Sequence, residues 1–316
     1  MDINELALTA ADHSAPASAG RGSLYLRRKR AHRLADATPI VLLHGSTLPG
    51  SAVFDLQLDG LSWMDDLAGT GRDVWCLDLS GYGRSDKPAP RKRADGTEIP
   101  VTDTEEALAD LAAGIDYILS LSEADQVDLI GWSWGATISA AFCSRPPHAV
   151  RSLTLYAPQW LRNTPSPMVT PGVLEKGYRD VDPEKLVERW FKGLKPAIQA
   201  EVKARGWMAA LIASLQACDP DAKVIRAPNG TIKDIDQYWM AARPFYDPAN
   251  ITIPTLVIVG TDDQDTPPAQ GRTLHAKLGM RTATFVEIPD GTHFMLLEPS
   301  RTELFQAVRD FLACQK

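Results

Sequence analysis

Cysteine is scarce in this 316-residue chain: Cys76, Cys143, Cys218 and Cys314 lie far apart with no CxxC pair. That scarcity argues against a zinc site or a disulfide framework and for reduced thiols, so a cytoplasmic location is expected. No window reaches the ~18 to 20 uncharged apolar residues that span a bilayer, and no membrane partner is expected. The first 22 residues carry acids at Asp2 and Glu5 and lack an apolar run of signal-peptide length, so 1–22 reads as a flexible tail. Positive charge is not in excess either. With 33 Lys plus Arg against 40 Asp plus Glu the net charge is −7, which repels a phosphate backbone, so no nucleic-acid partner is expected. The one basic cluster, Arg27, Arg28, Lys29, Arg30 and Arg33, sits in the strand-like LYLRRKRAHRL and reads as a solvated edge hairpin. Internal repeats and low-complexity tracts are absent. A chain with 44% hydrophobic and 23% charged residues is neither disordered, collagenous nor fibrous.

What is present is an alternation of strand and helix. Pro39–Leu43, Asp73–Leu77, Val127–Ile130 and Ser152–Tyr156 are short apolar runs of the kind buried on both faces of a sheet. Thr102 and Glu105 have capping-box spacing, and Leu108, Leu111, Ala112, Ile115, Ile118 and Leu119 then recur at helical intervals. A small-residue helix is expected from Trp134 to Cys143. Such alternation predicts an α/β fold with a mostly parallel sheet flanked by helices. After Pro158 the pattern breaks for about 90 residues, with helical stripes, many prolines and no clear strand. One helix is marked by Asp182 as N-cap and Pro183 at its first position. This stretch, 158–246, reads as an inserted helical lid whose aromatic residues Trp160, Tyr178, Trp207, Tyr238, Trp239, Phe245 and Tyr246 mostly pack it onto the main domain. The core is then 23–157 with 247–316, where strands at Thr255–Val259 and Thr284–Ile288 precede a closing helix with a Ser300/Glu303 capping box.

Reactive side chains gather at strand ends, where open α/β sheets form their crevice. Gly131-Trp132-Ser133-Trp134-Gly135 follows a strand and opens a helix, a turn that thrusts a serine hydroxyl outward while small flanking residues admit neighbouring backbone. GYGRSD, from 81 to 86, lacks the third glycine of a dinucleotide loop. A serine nucleophile needs a base, and of the histidines at 13, 32, 44, 148, 275 and 293 only His44 and His293 follow strands. His293, in a loop past the last strand, is the candidate base. Asp262, Asp263 and Asp265 compete to orient it; a metal-binding reading of this DDxD cluster lacks any further ligand pattern. An oxyanion would be met by the Trp134 N–H at a helix N-terminus.

These motifs, HGS at 44–46, the turn from Asp78 to Ser85, GWSWG, GTDDQDTP at 260–267 and GTHF at 291–294, make the chain resemble the α/β-hydrolase superfamily over nearly all its length after the tail. The resemblance implies an α/β-hydrolase fold with an inserted helical cap, Asp263 as the triad acid, Ser46 N–H as the second oxyanion donor and a supporting role for His44 beneath that loop. Asp78, Arg84 and Ser85 are read as bracing their own turn. The expected activity is a serine hydrolase that cleaves a small carboxylic ester or lactone through an acyl-enzyme with Ser133, His293 and Asp263, without cofactor or metal. Carbon-carbon bond hydrolases, perhydrolases and peptidases use the same residue types and stay open, as does a noncatalytic ligand-binding relative. A further resemblance, to hydrolases of alkyl monoesters of aromatic diacids, implies a lid cation such as Arg162, Arg189 or Arg243. The oligomeric state is not legible.

Overall fold

A computed structural model describes residues 8–146, 149–162, 164–219, 224–280 and 282–315. The first seven residues of the expected tail, and His148, lie outside the described residues.

The strands are β1 (Leu8–Pro16), β2 (Ser23–Ala31), β3 (Ile40–Leu43), β4 (Asp73–Asp78), β5 (Val127–Trp132), β6 (Val150–Tyr156), β7 (Tyr178–Val181), β8 (Ile225–Pro228), β9 (Thr255–Gly260) and β10 (Thr284–Ile288). The helices are α1 (Gly50–Val53), α2 (Trp63–Ala68), α3 (Thr104–Ser120), α4 (Trp134–Cys143), α5 (Pro183–Gly193), α6 (Pro196–Ala204), α7 (Trp207–Cys218), α8 (Gly230–Asp234), α9 (Pro268–His275) and α10 (Arg301–Ala313). Eight strands form one sheet in the order β1-β2-β4-β3-β5-β6-β9-β10. The six from β4 to β10 are parallel, and β1 and β2 add antiparallel to β4.

The parallel strands inside the sheet are buried on both faces, and the period of two sorts their residues between two cores. Ile40, Leu42, Val74, Cys76, Leu256 and Ile258 join one, which α2 and α10 cover through Trp63 and Phe305. Val41, Leu43, Trp75, Leu77 and Val257 join the other, which α3, α4 and α9 cover. All six parallel strands read from sequence are present.

Several expectations need correction. Leu8–Pro16 is no flexible tail: it pairs along its length with β2 and buries Ala15. Its apolar residues are few, Leu8 and Ala15 among mostly exposed neighbours, so no hydrophobic alternation marks it in the sequence. β2 is consequently an inner strand and not a solvated edge. Three of its four cations are taken up by carboxylates: Arg27 by Asp12 and Asp55, Arg28 by Asp73, Lys29 by Asp55 and Asp65. The capping box of α3 is Asp103 with Glu106, one residue later than expected, because Thr102 instead donates to the Ser80 carbonyl at 2.7 Å. Ser300 makes no side-chain cap on α10; its hydroxyl faces Glu298.

The excursion between β6 and β9 carries α5, α6, α7 and α8, with Asp182 capping α5 through the Glu184 N–H. It also carries a strand pair absent from the sequence reading, the antiparallel ribbon β7–β8. Four residues per strand are too few for alternation to declare itself.

Candidate active site

Ser133 sits where β5 turns into α4, with φ 59° and ψ −117°, a backbone conformation that costs energy for any residue with a Cβ. The flanking sequence permits this turn. A methyl group at Gly131 would collide with the Gly135 carbonyl and the Ser139 hydroxyl, and one at Gly135 with the carbonyl oxygens of Leu43 and His44. A methyl on Gly45 would lie 3.1 Å from Ser133 Cβ, so the HGS loop passes directly beside the serine. Trp134 opens α4, its side chain fully buried and donating from Nε1 to Thr104 Oγ1 at 3.0 Å.

Among the three competing acids the structure separates the roles. Asp263, 3% exposed, meets His293: Oδ2 accepts from Nδ1 at 2.9 Å. Its Oδ1 accepts from the backbone N–H groups of Asp265 and Thr266, both at 2.8 Å. Asp265 instead pairs with Arg189 of α5, and Asp262 lies 3.4 Å from Lys195. Thr266, which sequence reasoning passed over, donates to Asp263 Oδ2 at 2.8 Å and stands 3.1 Å from His293 Nδ1. Its place in the same GTDDQDTP motif was the only available signal.

The His293 loop is anchored from below. Its carbonyl accepts from Trp132 Nε1 and Tyr156 OH, each at 3.0 Å. The next residue back, Thr292, is held by buried Glu298, which also accepts from Trp190 of α5 at 2.9 Å. Burial lowers the pKa of His293, but the charge and hydrogen bond of Asp263 and the charge of Asp265 outweigh it, so the net shift is upward.

His44 is fully buried and neutral in its bonding: Nδ1–H donates to the Gly45 carbonyl at 2.7 Å while Nε2 accepts from the Leu79 N–H at 3.1 Å. It holds the loop that bears Ser46 rather than facing the cavity. Asp78 likewise serves its own turn, accepting from Ser51 and from the Arg84 N–H.

Ser46, Ser133 and His293 line one cavity of about 700 Å³, counting its open mouth, with Leu48, Met168, Leu186 and Phe294 as apolar wall. No Ser133–His293 hydrogen bond is among the described contacts; catalytic bonds of this kind are often long outside the substrate complex. Of the three candidate cations, Arg162 and Arg189 line this cavity, while Arg243 stacks on Tyr238 outside it. None of the seven aromatic residues singled out after residue 158 lines it. Trp160 packs at a tilt on Tyr246 and Tyr238 edge-on against Phe245, so they pack structure. Among the described residues no group of three or more His, Cys, Asp or Glu is arranged to hold a metal ion, and no helix is long and apolar enough to cross a membrane.

A parallel sheet with a strained serine at one strand end and a carboxylate–histidine pair at two others defines the class. The chain belongs to the α/β-hydrolase family, whose model, described as the alpha/beta hydrolase fold, matches residues 38–300. It is 31% identical over 121 residues to a proline iminopeptidase of Heyndrickxia coagulans, covering 38% of this chain and 35% of that one. It is 28% identical over 216 residues to a pimeloyl-[acyl-carrier protein] methyl ester esterase of Neisseria meningitidis, covering 64% and 75%. A hydrolase of Pseudomonas aeruginosa superposes with a TM-score of 0.65 at 19% identity, covering 95% of this chain and 98% of that one. The chain spans about a third of the length of the curated relatives it matches first.

Proposed function

We propose that the protein is a serine hydrolase that cleaves a small carboxylic ester or lactone through an acyl-enzyme. Ser133 Oγ attacks the acyl carbon as its proton passes to His293 Nε2, and Asp263 holds the imidazole in the Nδ1–H tautomer and stabilises the imidazolium. The oxyanion is received by the N–H groups of Trp134, at the positive end of α4, and of Ser46. His293 then protonates the leaving oxygen, the alcohol departs, and water, deprotonated by the same imidazole, releases the acid and restores Ser133. Residues 158–246 act as a lid, with Leu186 and Arg189 of α5 in the cavity wall.

The observation that carries this reading is the 2.9 Å bond from His293 to Asp263 beside the cavity that Ser133 enters on strained backbone. The methyl ester esterase relative supports the ester assignment within the family. Ser133→Ala should abolish hydrolysis of p-nitrophenyl butyrate and labelling by a fluorophosphonate while leaving the circular dichroism spectrum unchanged. Full activity in that variant rejects the assignment. A panel of esters, lactones, amides and vinylogous diketones sorts the ester reading from its rivals; binding without turnover of any of them marks a receptor.

One observation favours a narrower substrate, an alkyl monoester of an aromatic acid. Arg162 lines the cavity and donates to the carbonyls of Thr164 and Pro165 and, among the described residues, has no carboxylate partner. Burial lowers its pKa, offset only in part by the charge of Asp265 beyond ion-pair distance, so a substrate carboxylate supplies a closer counter-charge. Arg162→Gln should cut kcat/KM for a monoalkyl aromatic diacid about 10- to 100-fold and leave the neutral dialkyl ester within about twofold. Equal effects on both esters would remove the carboxylate from the account.

A further inference from the structure

We infer that Arg179, on the β7–β8 ribbon of the excursion, is a positioning residue for the oxyanion loop, an inference that rests on the proposed function of the site. In a trans peptide the C=O and N–H point in opposite directions, so a donor that fixes the carbonyl also aims the amide. His44 Nδ1–H holds the Gly45 carbonyl at 2.7 Å, and the N–H of Ser46, in the same plane, is thereby turned the other way. The plane on the far side of Ser46 is held by its carbonyl, which accepts from Tyr82 OH at 3.0 Å and from Arg179 Nη2 at 2.6 Å. Arg179 Nη2 also reaches Thr47 Oγ1 at 3.0 Å. The residue proposed as oxyanion donor thus has both flanking peptides clamped, one from the core and one in part from the excursion.

Arg179 is itself placed rigidly. Its Nη1 donates to the Pro228 carbonyl and lies 3.4 Å from Asn229 Oδ1. The ribbon is docked on the core at several points: Tyr178 OH donates to the Pro88 carbonyl at 2.7 Å, and Gly230 N–H to that of Val101 at 2.8 Å. Gly81, at φ +88°, lies so near Pro228 and Tyr178 that a methyl there would meet Pro228 Cγ at 2.7 Å.

The charge on Arg179 is a second argument. All four of its acceptors are neutral, and among the described residues no carboxylate lies within ion-pair distance. Desolvation and the charge of Arg189 draw its pKa down, opposed by Tyr82. A half-buried cation without a carboxylate partner is costly where a neutral donor would brace the loop equally well. Its charge does what a neutral donor cannot: it strengthens the bond to the Ser46 carbonyl and adds positive potential where the acyl oxygen becomes negative.

The test uses Arg179→Met and Arg179→Lys in the full chain, with kcat, KM, thermal midpoint and the inhibition constants of an alkyl boronic acid and of the product acid. The boronate reports the tetrahedral adduct and the product acid reports ground-state binding. Arg179→Met should lower kcat about 10- to 100-fold and weaken the boronate by a similar factor, with KM and product affinity within about threefold. Arg179→Lys, which keeps the charge, should recover most of both losses. Unchanged kcat in Arg179→Met, or proportional losses in product and boronate affinity, overturns the inference. If Arg179→Met does not fold, a folded Arg179→Lys with boronate and product affinities lowered by the same factor overturns it as well. Failure of the underlying reading is separately visible: the parent protein would then show no fluorophosphonate label on Ser133.

Discussion

Asp263→Asn should inactivate the enzyme through one proton, and the bonding around the carboxylate says which. Oδ1 accepts two backbone N–H groups at 2.8 Å, whereas Oδ2 faces His293 Nδ1 at 2.9 Å and the Thr266 hydroxyl at 2.8 Å. An asparagine must put its NH2 on one side. Turned toward the two backbone donors, it forfeits two buried hydrogen bonds, each worth about 1 to 3 kcal/mol. Turned toward His293, it loses little, because the Thr266 hydroxyl can donate instead to the Ala157 carbonyl at 3.1 Å and the imidazole can shift its proton. The second arrangement wins by several kcal/mol. The imidazole then accepts at Nδ1 and carries its hydrogen on Nε2, where it cannot take the proton of Ser133. The expected loss in kcat for p-nitrophenyl butyrate is about 10⁴-fold, or about 5 kcal/mol of barrier, with KM and the thermal midpoint little changed. Asp265→Asn, which breaks the partly exposed pair with Arg189 and removes one charge that acts on His293 without a hydrogen bond to it, should cost less than about tenfold. An Asp263→Asn protein within tenfold of the parent, or a larger loss at Asp265, would exclude Asp263 as the residue that sets the tautomer of His293.

Other expectations follow from particular contacts. Gly135→Ala must push α4 away from the Leu43 and His44 carbonyls, so it should destabilise the fold by about 3 kcal/mol or more in urea unfolding; a change below 1 kcal/mol would contradict the tight elbow. The upward shift of His293 places the acid limb of kcat/KM above the ordinary histidine value of 6.5, activity falling as the imidazole protonates; a limb below that value would mean Asp263 does not govern it. Asp234 is pushed up to about 6 by burial, against a hydrogen bond from the Thr104 N–H at 2.6 Å. Because the folded state holds that proton more tightly than the unfolded one, Asp234 costs stability as pH rises from its ordinary 3.8 through about 6. Asp234→Asn should therefore gain on the parent by up to about 3 kcal/mol between pH 4 and pH 7.5; a pH-independent difference would exclude the shift.

How much of this was legible in the sequence depends on how local the cause is. The parallel strands declared themselves because burial on both faces demands continuous apolar runs such as Ile40–Leu43, and α4 because it opens within GWSWG. Leu8–Pro16 did not, since its partner strand and not its own side chains fixes it. Nor did the ribbon around Arg179, whose meaning lies in reaching Ser46, 133 positions away. Among the three neighbouring aspartates composition left the choice open and the resemblance pointed to Asp263, which is the one bonded to His293 while Asp265 pairs with Arg189. Thr266, Trp132 and Tyr156 acquire their parts through the His293 loop, a contact that spacing along the chain does not encode.

The central claim is that an acyl group resides on Ser133 during turnover. Rapid acid quenching of a reaction with p-nitrophenyl butyrate, followed by peptide mass spectrometry, should find one butyryl group on the peptide bearing Ser133 and none in Ser133→Ala. A butyryl group on another residue, or undiminished steady-state turnover in the alanine variant, would contradict it.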